Sequence, residues 1–368
     1  SLFKLQDEVA YALIGESEVA GKFKKVQKVN YDVYNQVVEI IKKEYVHDID
    51  LDTSNAPDIE DLINQIDEFS SFQSKKEVEE MKALNSQGLI GIGITIRKDA
   101  GTIVVINAIG RSPASRAGIR SGDSIVEING ESTKGMSLID VVFRIRGTEG
   151  TSVTLKILTD EAETRTVSVI REKITFVSVD KSKMLDKRTA YIKMQMFSTT
   201  ASQELLEELK RLKKKGMRRL ILDLRNNSGG MLQAGWDVAD IFLNKGRVLA
   251  RTETRLTQLP FEFKSENKKT ISIPVVILIN KGTSGTAEIV SAALKDNKRA
   301  TLMGERTFGI GRMDGYYPLV DGSALRFTIA FYLTPESHVI EKAGVEPDIV
   351  CSEKEDDLIK RALEFFSK

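Results

Sequence analysis

From Tyr31 to Tyr45 the apolar residues Val33, Val37, Val38, Ile40 and Ile41 return every three or four positions among Asp, Gln, Glu and Lys. That spacing predicts an amphipathic helix. The preceding stretch, Leu2 to Val29, is also rich in helix formers, so residues 1–83 read as an N-terminal helical arm. An apolar helix face needs a cover, and two are open to it: the chain's own core, on which part of the arm is expected to pack, or a second copy in a homodimer. From Gly88 the pattern shortens to β-branched runs, Ile90 to Ile96 and Thr102 to Ile106, broken by glycines, and then to the turn-rich GIRSGDSIVEING (Gly118 to Gly130). SLIDVVFRIRG (Ser137 to Gly147) predicts a helix stopped by glycine, and Val153 to Leu158 and Arg165 to Ile170 predict further strands. Residues 84–172 therefore read as a compact β-rich module.

After Lys173 strands and helices alternate, the texture of an α/β core over residues 173–368. RRLILDL (Arg218 to Leu224) and IPVVILI (Ile273 to Ile279) are near-continuous apolar runs, as strands covered on both faces require. Between them Thr200 and Gln203 can form a capping box for a helix whose Leu205, Leu206, Leu209 and Leu212 share a face. A second core helix is predicted from Ala287 to Leu294.

With 368 residues, 41% hydrophobic and 29% charged, the chain has the composition of a soluble globular protein of two or three domains. No apolar run is long enough to span a bilayer as a helix. A net charge of +1 gives no general attraction to nucleic acid, so none is expected as a partner. Cys351 is the single cysteine and cannot form an internal disulfide; His47 and His338 are far apart, so no metal and no cofactor is expected. The start, Ser1-Leu2-Phe3-Lys4, has neither an initiator Met nor a signal-peptide pattern, as expected of a mature or trimmed chain.

Three strings occur in order: LDLRNNSGG (Leu222 to Gly230), GERTFGIG (Gly304 to Gly311) and AGVEPDI (Ala343 to Ile349). IDEFSSFQSKKEVEEMK (Ile66 to Lys82), YIKMQMF (Tyr191 to Phe197) and TPESHVIEKAGVEPD (Thr334 to Asp348) extend the pattern. Together they resemble the C-terminal, or tail-specific, processing peptidase family, whose members carry an embedded PDZ domain, and the resemblance covers nearly everything after about residue 30. It implies an α/β fold: a ClpP/crotonase-like spiral core, an inserted PDZ domain and an N-terminal helical arm. It also implies an extracytoplasmic location, in the periplasm or cell envelope, and protein C-terminal tails as partners.

By the same resemblance, LIGIGI supplies the PDZ loop that grips a terminal carboxylate and the strand beyond it: Leu89, Ile90, Gly91, Ile92, Gly93 and Ile94. Ile92 and Ile94, with Val141, Val142 and Ile145 on the helix, are candidates for the apolar pocket, although some must be core. Leu89-Ile90 stands where related proteins often carry an aromatic residue followed by glycine. In LDLRNNSGG a buried strand ends in polar residues and two glycines, which let the backbone turn and approach a ligand. The resemblance gives Gly229 and Gly230, together with Thr286, the oxyanion role.

The family cleaves peptides with a serine activated by a lysine that a glutamine orients. The lysine must be desolvated so that its amine is neutral. Registration on NKGTSGTAE (Asn280 to Glu288) puts Gly285 at the serine position; the lysine falls on Ile310 and the glutamine on Asp314. Glycine offers no nucleophile and isoleucine takes no proton, so a catalytically degenerate, tail-binding member is expected. Three coordinated changes fit natural divergence better than a single trapping substitution. The alternative is a rearranged peptidase using Ser284. Its neighbouring cations Arg306 and Arg312 stay protonated, and a carboxylate such as Asp314 or Glu288 is a poor base unless burial raises its pKa from about four. Lys281, on the same loop, is a further candidate base.

Overall fold

The computed structural model describes residues 31–367 except residues 68, 87–89, 100, 110–111, 121, 137, 160–162, 175–176, 260, 268–269 and 352–354. The helix formers from Leu2 to Val29, and Leu89 of the grip loop, lie outside the described residues.

The two apolar runs form the middle of a six-stranded sheet that orders Val179–Met184, Thr189–Met194, Arg219–Asp223, Val275–Ile279, Thr301–Gly304 and Ile349–Val350. The first pair is antiparallel and the rest are parallel. Strand alternation sorts the side chains: Leu220, Leu222, Ile277 and Ile279 enter the large core with Leu205, Leu209, Val238 and Val290 from the helices Ala201–Lys214, Leu232–Asp240 and Thr286–Asp296. Ile221, Val276 and Leu278 enter a second cluster with Leu358 and Ala362 of the C-terminal helix Glu355–Phe365. A sheet covered on both faces explains why these runs carry no polar alternation. The molecule is mixed α/β, as the sequence predicts.

A second sheet is built on Ala324–Leu333, which pairs with Ser71–Gln73, Arg312–Pro318 and Val248–Glu253. The helix Tyr31–Glu44 lays Val33, Val37 and Ile41 into the large core, with Val38 and Ile40 packed at its margin. Arg255 fastens the end of that helix by donating to the carbonyls of Tyr45 and Lys42 at 3.0 and 2.8 Å. Of the two covers open to the arm's apolar face, residues 33–41 therefore use the chain's own core.

The β-rich module has a separate core, whose buried members run from Ile92 to Val169. Its sheet orders Ile94–Asp99, Thr102–Ala108, Ser124–Ile128, Ser152–Leu158 and Thr164–Ile170, which leaves Ile94–Asp99 at an edge. Its two ends are clasped where Ile90–Gly91 pairs with Glu172–Lys173. The helix Leu138–Ile145 ends under Arg171, whose guanidinium donates to the carbonyls of Arg144 and Ile145 at 2.8 and 2.9 Å. That arrangement satisfies two carbonyls a helix end leaves open.

The capping box expected at Thr200 and Gln203 does not form. Thr200 is the N-cap without a side-chain cap bond; its hydroxyl donates to Glu204 at 2.6 Å, and Gln203 turns outward to Glu207 at 3.0 Å. Glu204 is drawn away from the helix because its other oxygen accepts the N–H groups of Ser178 and Val179 at 2.9 and 3.0 Å. Among the described residues no helix is long and apolar enough to cross a membrane.

Candidate functional site

The strand Arg219–Asp223 ends in a buried ion pair: the Asp223 carboxylate accepts from Arg225 at 2.6 and 2.9 Å and from the Tyr191 hydroxyl at 2.7 Å. This fixes the start of the turn that leads to the glycines. Asn227 is fully buried; its amide NH2 donates to Met194 O at 3.1 Å and its Oδ1 accepts the Gly229 N–H at 2.9 Å. Gly230, at φ 133°, passes so close to Phe197 that a Cβ there would lie 2.4 Å from the Phe197 carbonyl oxygen. No other residue fits.

The loop after Val275–Ile279 enters the helix Thr286–Asp296 through Gly285, which has φ 57° and ψ −124°. Left-handed backbone of this kind favours glycine, yet a Cβ here would meet nothing nearer than Ser228 O at 3.8 Å. The position has room for a side chain and carries none. Among the described residues, neither the Thr286 N–H nor the Gly230 N–H donates to an acceptor. Thr286 N would lie 2.9 Å from a Cβ on Gly229, so the start of the helix packs closely on the glycine turn. Ser284 is 1% exposed, and its Oγ has no hydrogen-bond partner among the described residues. As placed, it contacts no base.

Glu288 holds this loop to the later glycine-rich loop. One carboxylate oxygen accepts the N–H groups of Gly285 and Ile310 at 2.9 and 2.7 Å, and the other accepts the Gly309 N–H at 2.7 Å and the Thr307 hydroxyl. Burial pushes its pKa up to about 7, against the pull of those four hydrogen bonds. Burial thus does supply the rise a carboxylate base would need, but all four donors occupy the group and none is Ser284. Phe308 N–H donates to Thr283 O at 2.9 Å and adds a second tie between the loops.

At Ile310 the half-buried side chain is apolar. Asp314, on Arg312–Pro318, accepts from Arg326 at 2.9 Å and stands 3.8 Å from Arg312. Arg312 also pairs with Glu341 at 3.2 Å, and its guanidinium lies 3.6 Å over the Phe69 ring. Where the resemblance expects an orienting glutamine there is an ion-pair network.

In the β-rich module the carbonyls of Ile92 and Gly93 accept from Ala114 and Ile109, both at 2.9 Å. The N–H groups of Ile92 and Gly93 donate to no acceptor among the described residues. Gly93 has φ 75°, the backbone that turns successive N–H groups to one side. Ile92, Val141 and Ile145 lie in the module's core, while Ile94 and Val142 are half-buried at its margin. Gly91 pairs with Glu172, and Ile90 with Lys173.

Between this module and the core lies a cleft of about 1010 Å³, bordered by Val104–Ala108 on one side and by Asn226, Asn280–Gly282 and Arg306–Phe308 on the other. Part of its core-side wall belongs to the two loops that carry Gly285 and Ile310. His338, which the sequence leaves isolated, stands with Asp296 and Glu336 so that their ligand atoms lie within 4.8 Å of one another. The sequence separation of Asp296 from the other two hides that grouping. Sequence reasoning weighed Glu288 only as a weak base and missed its binding role; the signal was a lone glutamate three residues into an otherwise apolar helix start. The bonding roles of Asn227 and Thr307 leave no trace in the sequence, because Met194, Glu288 and Val345, which they bond, are distant along the chain.

Comparison with known proteins accords with this arrangement. The family model described as Peptidase family S41 matches residues 188–351, and a PDZ domain model matches residues 105–159. The chain is 31% identical to the carboxy-terminal processing protease CtpA of Bacillus subtilis (strain 168), over 92% of this chain and 72% of that one. Among solved structures it is similar to the photosystem II D1 C-terminal processing protease, with a TM-score of 0.74, 25% identity, and coverage of 90% of this chain and 96% of that one. An S41 core, an inserted PDZ domain and a CtpA relative aligned along nearly the whole chain lead to one conclusion: the chain belongs to the PDZ-bearing C-terminal processing proteases of peptidase family S41.

Proposed function

We propose that this chain binds the C-terminal tails of other proteins without cutting them, as a pseudoprotease scaffold or regulator. One observation carries the reading: Gly285, Ile310 and Asp314 stand at the family's serine, lysine and glutamine positions, and the room a nucleophile would fill at Gly285 is bare. A residual site fits this role. The N–H groups of Gly230 and Thr286 can hold a carbonyl, while Gly229, whose N–H is given to Asn227, contributes shape.

The tail itself is held by the PDZ domain, which we take as residues 84–172 between the arm (1–83) and the core (173–368). Its terminal carboxylate meets the N–H groups of the Gly91–Ile94 loop, and its last side chain rests against Ile94 and Val142. We take the protein to act outside the cytoplasm, a reading that its resemblance to the family supports. Any homodimer through the arm uses a surface other than the face of Val33, Val37 and Ile41, which the core already covers.

The test is incubation of the full chain with an unfolded protein substrate and with a fluorophosphonate label, followed by mass spectrometry. No cleavage and no labelled serine is the expected result. Cleavage that Ser284→Ala abolishes would overturn the reading in favour of a rearranged peptidase.

A further inference from the structure

The cleft between PDZ domain and core is lined by five cationic side chains, Arg120, Lys193, Arg225, Lys281 and Arg306, and by one anionic side chain, Asp180. The whole chain is nearly neutral, at +1, so this is a local concentration of charge. Part of it is compensated. Arg225 is bound by buried Asp223 at 2.6 Å, and the charge of Asp180 offsets one more cation. Arg306 stands 3.8 Å from Glu346, with both side chains more than half exposed to water, so that pair screens it weakly. Arg120 and Lys281 are exposed and come from opposite walls, one from the PDZ domain and one from the loop that leads to Gly285. A cleft with low-dielectric walls and one sign of charge focuses its field on whatever lies inside it.

We propose that this cleft selects acidic tails: peptides whose segment upstream of the gripped terminus carries Asp or Glu, with Arg120, Lys281 and Arg306 as the specificity-determining residues. The inference rests on the tail-binding reading above. A volume of about 1010 Å³ holds several residues of extended peptide. A tail lying there passes Gly282 and Phe308, on the two loops that carry Gly285 and Ile310. Exposed charge pairs contribute modestly, so the preference is read as an affinity ratio and as a salt dependence.

The experiment is fluorescence anisotropy of the full chain with three peptides that share one apolar C-terminal residue and differ upstream in carrying Glu, Gln or Lys. The acidic peptide is expected to bind about tenfold more tightly than the Gln peptide at low salt, with the Lys peptide weakest, and high salt should close the gap. Arg120→Glu combined with Lys281→Glu and Arg306→Glu should reverse the order of the Glu and Lys peptides. Equal affinities for all three peptides overturn the acidic preference and leave tail binding standing. If no peptide binds at either salt concentration, tail binding itself is overturned, and the preference with it.

Discussion

Glu288 accepts the Ile310 N–H on Oε2 at 2.7 Å. The same oxygen accepts the Gly285 N–H at 2.9 Å, so one buried carboxylate joins the backbone of Gly285 to that of Ile310, the two positions we propose for the family's serine and lysine. Neither residue has a side chain that can act as nucleophile or base, while the frame around them is held by four hydrogen bonds.

That frame makes activity recoverable in principle. Gly285→Ser with Ile310→Lys and Asp314→Gln should restore detectable cleavage of an unfolded substrate, whereas Gly285→Ser alone should stay at background, because nucleophile and base act as a unit. Serine at φ 57° costs on the order of 1 kcal/mol of strain, and Asp314→Gln strips Arg326 and Arg312 of a partner for roughly 1–3 kcal/mol more. A thermal melt should therefore show the triple variant folded but less stable than the parent.

Stability should depend on pH through Glu288. Its folded pKa of about 7 lies above the ordinary 4.5, so the folded state holds the extra proton between those values. The stability it contributes is full below about 4.5 and falls as pH rises through about 7, by at most on the order of 3 kcal/mol. Urea denaturation at pH 5 and pH 8 should show this loss, and Glu288→Gln should flatten it. That variant should also lower stability at every pH, since an amide nitrogen would face backbone donors.

Amidating the C-terminus of a bound peptide should weaken its affinity for the chain roughly tenfold or more in a calorimetric titration, because the N–H groups of Ile92 and Gly93 then lose their anion. Gly93→Ala should lower both binding and stability. Its φ of 75° strains any side chain, and a Cβ would stand 2.4 Å from the Ser112 Cβ. Equal affinity for free and amidated peptides would remove the carboxylate grip.

Glu204 should matter more than the two residues expected to cap its helix. Glu204→Ala removes the acceptor of Ser178 and Val179 and should cost about 1–3 kcal/mol, while Gln203→Ala should change stability by no more than about 0.5 kcal/mol. Denaturant midpoints of the two variants decide between these ranks.

The sequence made the sheet and helices legible because their signal is repetitive. Val275–Ile279 and Tyr31–Glu44 declare themselves through runs and spacing that burial on both faces, or on one, imposes. The positions of Gly285 and Ile310 were legible only through resemblance, since neither residue carries chemistry to find. Single polar residues with distant partners were not legible. The box at Thr200 and Gln203 does not form because the Thr200 hydroxyl turns to Glu204 and Gln203 turns to Glu207, whereas Ser74 and Glu77 do close one at 2.7 and 3.3 Å. The basic cleft escaped notice for the same reason. A net charge of +1 describes the whole chain and not where its cations gather.

The pairing of Ser71 with Arg326 sets an order of assembly. The PDZ core draws its buried members from Ile92 to Val169, so that segment can close on itself. The helix Tyr31–Glu44 and the strand Ser71–Gln73 precede it in the chain but must wait for Ala324–Leu333, so their apolar faces stay uncovered until that strand is in place. A finished PDZ domain can thus stand between two halves of an unfinished core, and the folding chain is most open to aggregation before its last strands join.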